Sequence, residues 1–360
     1  MSDTAARSVL VVDDSAFMRK LIAEMIDAHP GFHVIGIARD GVDALAQLRK
    51  LDPDIVTLDL EMPKLDGLDV LQQIMSERPR PVVVLSAGGV QYGDATLRAL
   101  ELGAVDFVRK PSGPVSLDLP VIRDRLLAAL EAASRATLAP PPVVRAHRAA
   151  PAAATSHEVP RFANHIVVIA SSTGGPRALA EIVPKLPATL NAAVVIAQHL
   201  PGEFTPALAE RLSRASEIAV READDRMPLC TGTVYIARGG VNTTVTGLAG
   251  SAVLRQSVPA PRFGATPNAD VLFESASQVF GAECVAVVLT GMGRDGSTGL
   301  CRIRAAGGRA IVQDEASSAI YGMPRSALAE AGADEVVSLS NMGSAIIGMV
   351  PKERLEWLTA

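Results

Sequence analysis

The sequence is short of cysteines, of aromatic residues and of long apolar runs. Its three cysteines, Cys230, Cys284 and Cys301, form no CxxC pair, and their odd number argues against a disulfide framework. Disulfides persist mainly in oxidising compartments, so a reducing one is expected. No apolar run approaches the roughly 18 residues that would suggest a bilayer-spanning helix. The opening residues Met1–Ser8 hold no long apolar core, so no signal peptide is expected. Excess positive charge is missing too. A net charge of −5 gives no reason to expect nucleic acid as a partner. These shortages together predict a cytoplasmic protein with no direct membrane insertion.

What is present suits packed α/β domains. Apolar residues make up 48% of the chain but aromatics only 3%, so Val, Ile, Leu and Ala must fill the cores. At roughly 100–200 residues per domain, 360 residues predict two. Residues 132–160 stand apart, rich in Ala and Pro, with three consecutive prolines at Pro140–Pro142. Such a segment is extended and semi-rigid. It reads as a linker between a first domain over 1–131 and a second over 161–360.

In the first domain, short apolar runs predict strands at Val9–Val12, Val34–Ala38, Ile55–Leu58, Val82–Leu85 and Phe107–Val108. Helical patterns such as Ser15–Ala28 and Gly41–Lys50 separate them. This alternation predicts a five-stranded parallel sheet with helices on both faces. The second domain repeats the pattern, with strands at Ile166–Ala170, Ala193–Ala197, Ala286–Leu289 and Ala310–Gln313. A hairpin-like stretch, Ile218–Leu254, interrupts it. In parallel sheets ligands bind beyond the carboxyl ends of the strands, where strand order reverses.

That rule gathers Asp13, Asp14, Asp59, Ser86 and Lys110 at one edge of the first sheet. Taken singly, Asp13 or Asp14 reads as a helix N-cap and Lys110 as a surface charge. Together, three carboxylates repel one another and call for a hard divalent cation. Mg²⁺ takes oxygen ligands of this kind, and a carboxylate beside it can accept a phosphoryl group.

The segments VVDDSAFMRKLI, TLDLEMPKLDGLDVL, VVVLSA and GAVDFVRKP resemble the receiver domains of two-component response regulators, over about residues 8–125. The resemblance implies a flavodoxin-like fold with Asp59 as phosphoacceptor. It makes Asp13, Asp14, Asp59 and the backbone carbonyl of Glu61 the Mg²⁺ ligands, and Ser86 and Lys110 the phosphate-sensing pair. It also implies a cis bond before Pro111.

In the second domain, the first strand runs into Ser171-Ser172-Thr173-Gly174-Gly175-Pro176. A glycine-rich turn opening a helix presents backbone N–H groups that can hold negative charge. It suits either an anion-binding loop or a nucleophilic serine, and no general motif decides between them. A serine nucleophile needs a base. Two histidines lie beyond residue 160. His165 precedes its strand, whereas His199 follows Ala193–Ala197 and shares an edge with the serines. Asp295, in the glycine-rich loop after Ala286–Leu289, is the acid at that edge. On its own it reads as an N-cap for a helix around Thr298–Ala305. Ser, His and Asp at three strand ends suit acyl transfer, in an order unlike that of α/β-hydrolases.

The segments SSTGGPRAL, VVIAQHLPGEFT, YIARGG, ADVLFESA, LTGMGRDG, IVQDEASSAIYGMP and AGADEV are similar to CheB-type methylesterase domains over about residues 163–350. The resemblance implies a doubly wound, mainly parallel hydrolytic domain. It assigns the nucleophile to Ser172 rather than Ser171, with His199 and Asp295 completing the triad. Backbone N–H groups of Thr173 and Met292 would hold the oxyanion, and no cofactor would serve the esterase. The chain departs from the family pattern at Ala170, Ser171, Arg238, Asn242 and residues 265–270.

Together the two resemblances imply a phosphorylation-activated hydrolase. It would remove methyl groups from glutamates of chemotaxis receptors and act also as a glutaminase. A chemotaxis histidine kinase would supply the phosphate. The unphosphorylated receiver is expected to pack over the hydrolytic cleft. The alternative is a non-enzymatic, phospho-regulated module that binds an anion at SSTGG.

Overall fold

The computed structural model describes residues 6–87, 93–111, 119–138, 161–259 and 265–351. The chain divides into two compact units, Met1–Val144 and Arg145–Ala360.

The first unit holds strands β1 (Arg7–Val12), β2 (Phe32–Ala38), β3 (Ile55–Asp59), β4 (Val82–Ser86) and β5 (Asp106–Arg109). They form a parallel sheet in the order β2-β1-β3-β4-β5. Every residue of β3 and β4 is buried, as expected when helices cover both faces. Those helices are α1 (Ala16–Asp27), α2 (Gly41–Leu51), α3 (Gly67–Glu77), α4 (Gly93–Leu102) and α5 (Leu119–Arg135). Ser15, not Asp13 or Asp14, caps α1, its hydroxyl accepting the Met18 N–H. The two aspartates are thereby left to the sheet edge.

Two expectations need correction. Helix α5 continues through the first residues of the predicted linker, and Ala132 and Ala133 are buried. Alanine is a strong helix former, and here it packs as core. The rest of that segment, from 139 to 160, lies outside the described residues. The cis peptide bond found among the described residues joins Thr266 to Pro267, not Lys110 to Pro111.

The second unit contains β6 (Ile166–Ser171), α6 (Gly175–Ile182), β7 (Ala193–Gln198), α7 (Thr205–Ala215), β8 (Ala219–Glu222) and β9 (Thr233–Ile236). After these come β10 (Asn242–Thr246), β11 (Val253–Ser257), α8 (Ala269–Phe280), β12 (Cys284–Val288) and α9 (Ser297–Ala305). The last elements are β13 (Arg309–Gln313), α10 (Met323–Ala331), β14 (Glu335–Val337) and α11 (Leu339–Met349). Seven strands form a parallel sheet in the order β14-β13-β12-β6-β7-β9-β8. Among the described residues, β10 and β11 make the one antiparallel hairpin. The expected hairpin stretch therefore splits, because β8 and β9 pair in parallel and widen the main sheet.

The topology sets the site. From β6 the chain moves to β7 on one side and later returns to β12 on the other. Strand order reverses there, which is where an open parallel sheet leaves a crevice.

Candidate active site and receiver site

Strands β6 and β7 run in register, with Ala170 beside Ala197 and Ser171 beside Gln198. The next residues, Ser172 and His199, therefore leave the sheet side by side. The His199 N–H donates to the Ser171 carbonyl at 3.0 Å. Gln198 Nε2 donates to the Ser172 carbonyl at 2.9 Å. On the other flank, the Ser172 N–H donates to the Thr290 carbonyl at 3.1 Å. Ser172 is thus stitched to the loops that follow β7 and β12.

His199 Nε2 lies 2.7 Å from Asp295 Oδ2. The same carboxylate accepts the N–H groups of Ala269 at 2.7 Å, Asp270 at 3.0 Å and Gly296 at 3.0 Å. Burial pushes the Asp295 carboxyl upward. The hydrogen bonds from His199 and the Ala269 amide outweigh it and hold the group below its ordinary 3.8. Asp295 therefore stays ionised beside the imidazole. Its expected role as the cap of its own helix is not what the structure has. Helix α9 starts from Gly296 with no side-chain cap, and Asp295 sits on the amino end of α8 instead.

The loops that carry Thr173 and Met292 meet beside Ser172. Thr290 Oγ1 donates to the Thr173 carbonyl at 3.0 Å. Gly291 must lack a side chain, because a Cβ there would stand 2.8 Å from Ser172 Cβ and 2.3 Å from Met323 Sδ. Its carbonyl accepts from the Met323 N–H at 2.8 Å, which pins the turn into Met292. His165 belongs to the other edge. Its carbonyl accepts the Ala193 N–H, and its Nδ1 is 2.7 Å from Glu283 Oε2.

In the first unit, one oxygen each from Asp13, Asp14 and Asp59 can be chosen so that all lie within 4.8 Å of one another. Lys110 Nζ reaches Asp59 Oδ2 at 2.6 Å and Asp13 Oδ2 at 2.8 Å. Burial pushes the Asp59 carboxyl up to about 6, against the pull of Lys110 and with a further push from Asp13. Burial works to lower Lys110, yet its bonds to Asp13 and Asp59 hold it above its ordinary value. The acidic cluster therefore has less cationic charge than it can use, and three carboxylate oxygens suit a hard divalent ion. The Glu61 N–H donates to Asp59 Oδ1 at 3.1 Å. A cavity of ≈ 140 Å³ with Asp59, Glu61 and Ser86 in its wall lies alongside. The Ser86 hydroxyl is 2.8 Å from Thr96 Oγ1 on α4.

Two family descriptions match this chain. CheB methylesterase covers residues 167–346, and the response regulator receiver domain covers residues 9–121. A relative from Symbiobacterium thermophilum is 44% identical over 96% of this chain and 98% of its own length. One from Bacillus subtilis is 41% identical over 96% and 99%. Both are named protein-glutamate methylesterase/protein-glutamine glutaminase. The chain belongs to the CheB methylesterase family. The crystal structure of the Thermotoga maritima CheB methylesterase catalytic domain aligns over 52% of this chain and 98% of that one, at 36% identity and a TM-score of 0.50.

Several supports of this CheB-type site escaped the sequence reading. Gln198 is buried, and its Oε1 accepts the Ser171 hydroxyl at 2.7 Å. Ser171 is thereby turned into the core. Thr290 is held through its N–H by Gln313 Oε1 at 2.8 Å. The signal available for both glutamines was a polar residue closing an otherwise apolar strand. Two departures from the family pattern also find a place. Asn242 is buried, and its Oδ1 accepts the Asn268 N–H at 3.0 Å. Asn268 in turn caps α8 by accepting the Val271 N–H at 2.9 Å. Arg238 is exposed.

Proposed function

We propose that this chain hydrolyses glutamate γ-methyl esters on chemotaxis receptors, with Ser172 as nucleophile, His199 as general base and Asp295 as its partner. The observation that carries the reading is the His199–Asp295 pair at 2.7 Å, set at the strand end beside Ser172. Nε2 faces Asp295, so Nδ1 is the ring nitrogen left to take the Ser172 proton. Ser172 Oγ attacks the ester carbonyl carbon as its proton passes to Nδ1. The ionised Asp295 stabilises the imidazolium so formed. The negative charge on the carbonyl oxygen rests on the N–H groups of Thr173 and Met292. The intermediate collapses, Nδ1 returns the proton, and methanol leaves. Water then attacks the acyl-enzyme with His199 again as base, which frees the glutamate carboxylate and restores Ser172. A glutamine side chain follows the same course with ammonia as the leaving group. An anion-holding loop alone would have no use for the histidine–aspartate pair.

Asp59 is the phosphoacceptor in this reading, and the phosphate comes from the histidine kinase of the chemotaxis system. Asp13, Asp14, Asp59 and the Glu61 carbonyl would hold Mg²⁺, which would supply charge neutralisation for phosphoryl transfer. Lys110 and Ser86 bind the phosphate oxygens. The protein works in the cytoplasm, where the receptor segments and the kinase are reached. The linker spans residues 136–160, and the receiver restrains the hydrolytic domain until Asp59 is phosphorylated. The test is methanol release from methylated receptor with and without a phosphodonor. Stimulation by the donor, lost in Asp59→Asn, is expected, together with no release by Ser172→Ala. Full release by Ser172→Ala would sink the triad.

A further inference from the structure

Two helices of the hydrolytic unit exchange carboxylates. Asp295 lies just before α9, yet its oxygens take the Ala269 and Asp270 N–H groups at the start of α8, at 2.7 and 3.0 Å. Asp270 lies in the first turn of α8, yet its Oδ1 takes the Gly299 N–H in the first turn of α9 at 2.7 Å. Each acid thus neutralises the positive end of the other's helix. The exchange requires the helix starts to touch. Gly299 allows this, since a Cβ there would lie 2.5 Å from Phe273 Cβ and 3.0 Å from Asp270 Cα.

The geometry points to Asp270 as a positioning residue for the hydrolytic reaction, acting through the Gly299 N–H to fix Asp295 and, through it, the His199 ring. Asp270 does not reach the reacting atoms. Its bond locks the first turn of α9 at Gly299, and only Gly296, Ser297 and Thr298 separate that residue from Asp295. The first turn of α8, which also carries Asp270, holds the Asp295 oxygens from the other side. Both ends of the loop that aims Asp295 are therefore tied to one residue. A shift of about 1 Å in a catalytic group can cost about 10²-fold in rate, so a small slip between these two turns is enough to matter. The contact joins two helix starts and acts only through the aim of Asp295, so the effect is expected on kcat and not on KM.

This inference rests on the Ser172–His199–Asp295 reading. The test compares the full-length protein with Asp270→Ala, Asp270→Asn, Asp270→Glu and Ser172→Ala, using methanol release from methylated receptor and thermal unfolding. Asp270→Ala is expected to lower kcat by about 10–100-fold with KM little changed. Asp270→Asn keeps an oxygen for the Gly299 N–H and should recover most of the loss. Asp270→Glu keeps the charge but displaces the acceptor by a methylene, so it should stay slow; it carries the test if the alanine variant does not fold. Wild-type kcat in folded Asp270→Ala or Asp270→Glu would overturn the inference. So would an Asp270→Asn variant as slow as Asp270→Ala. If Ser172→Ala retains activity, the triad itself fails. If Ser172→Ala is dead while the Asp270 variants are normal, only the role of Asp270 fails.

Discussion

Oδ2 of Asp295 takes His199 Nε2 and the Ala269 N–H, each at 2.7 Å. In the proposed mechanism this one oxygen serves the reaction and the fold together. Asp295→Asn cannot reproduce this, because an amide has one acceptor oxygen and turns N–H donors toward N–H donors. The variant should lose about 10²–10⁴-fold in kcat, the range of a positioned acid–base system. It should also lose about 1.5–3 kcal/mol of stability, since hydrogen bonds to a charged group are at stake. Ser172→Ala, by contrast, should lose activity with its melting temperature nearly unchanged. Equal stability of Asp295→Asn and the parent chain would contradict the shared role.

The same carboxylate predicts a pH dependence of stability. Its value in the folded chain is depressed below 3.8. A depressed carboxyl contributes stability that is complete above its unfolded value and is lost as pH falls through the folded one. The stability gap between the parent chain and Asp295→Asn should therefore hold from neutrality to about pH 5, narrow as pH falls below about 4, and vanish only below the depressed folded value. Denaturant titrations of both proteins across that range measure it. A gap that persists at the acid end would rule out Asp295 as its source.

Ser171 and Ser172 can be told apart chemically. The Ser171 hydroxyl is buried and donates to Gln198, so Ser171→Ala should cost about 1 kcal/mol of stability. It should leave labelling by a serine-directed fluorophosphonate intact. Ser172→Ala should abolish that labelling. Mass spectrometry of the labelled peptide reads the outcome directly, and a label carried on Ser171 would reassign the nucleophile.

Much of this was legible in the sequence because a parallel sheet sorts residues by strand end. Asp13, Asp59, Ser172 and His199 each close or follow an apolar run, and the rule that sites gather at the carboxyl edge brings them together without coordinates. Asp295 was found by the same rule, but its supports were not. Ala269 and Asp270 contribute through backbone N–H groups, which any sequence supplies. Only the packing of α8 against α9 aims them. The end of α5 was hidden for a different reason. Ala132–Arg135 carries helix-forming residues, but the neighbouring prolines dominate its composition. The parallel pairing of β8 and β9 was hidden because short strands with polar ends carry no mark of their partner.

The receiver site predicts a response to metal. Three carboxylates share the company of Lys110, and Asp59 is pushed up to about 6 by burial and by Asp13. An added divalent cation relieves that crowding. Saturating Mg²⁺ should stabilise the full-length protein by about 2.7 kcal/mol at a hundredfold excess over its dissociation constant, and a chelator should reverse the gain. Asp13→Asn and Asp59→Asn should each lose most of the effect. Calorimetry that shows no Mg²⁺ dependence in the parent chain would refute the metal assignment.

Gly291 offers the most local test of how the hydrolytic site is assembled. Its N–H and carbonyl are both taken by the segment around Ile320–Met323, so the turn cannot move aside without breaking several bonds. A methyl group there would stand 2.8 Å from Ser172 Cβ and 2.3 Å from Met323 Sδ. The Met323 side chain is flexible and can yield, but the Ser172 Cβ is fixed by its place at the end of β6. Gly291→Ala should therefore displace the serine or the turn that leads into Met292. Overpacking of this kind costs about 1–3 kcal/mol, which a two-hundred-residue unit can bear. The larger effect should fall on kcat, about tenfold or more, because Ser172 and Met292, the proposed nucleophile and oxyanion donor, flank the added methyl. Steady-state methanol release on the folded variant measures it. A Gly291→Ala protein with parental kcat would show that Ser172 and the Met292 turn are not held in contact by this residue.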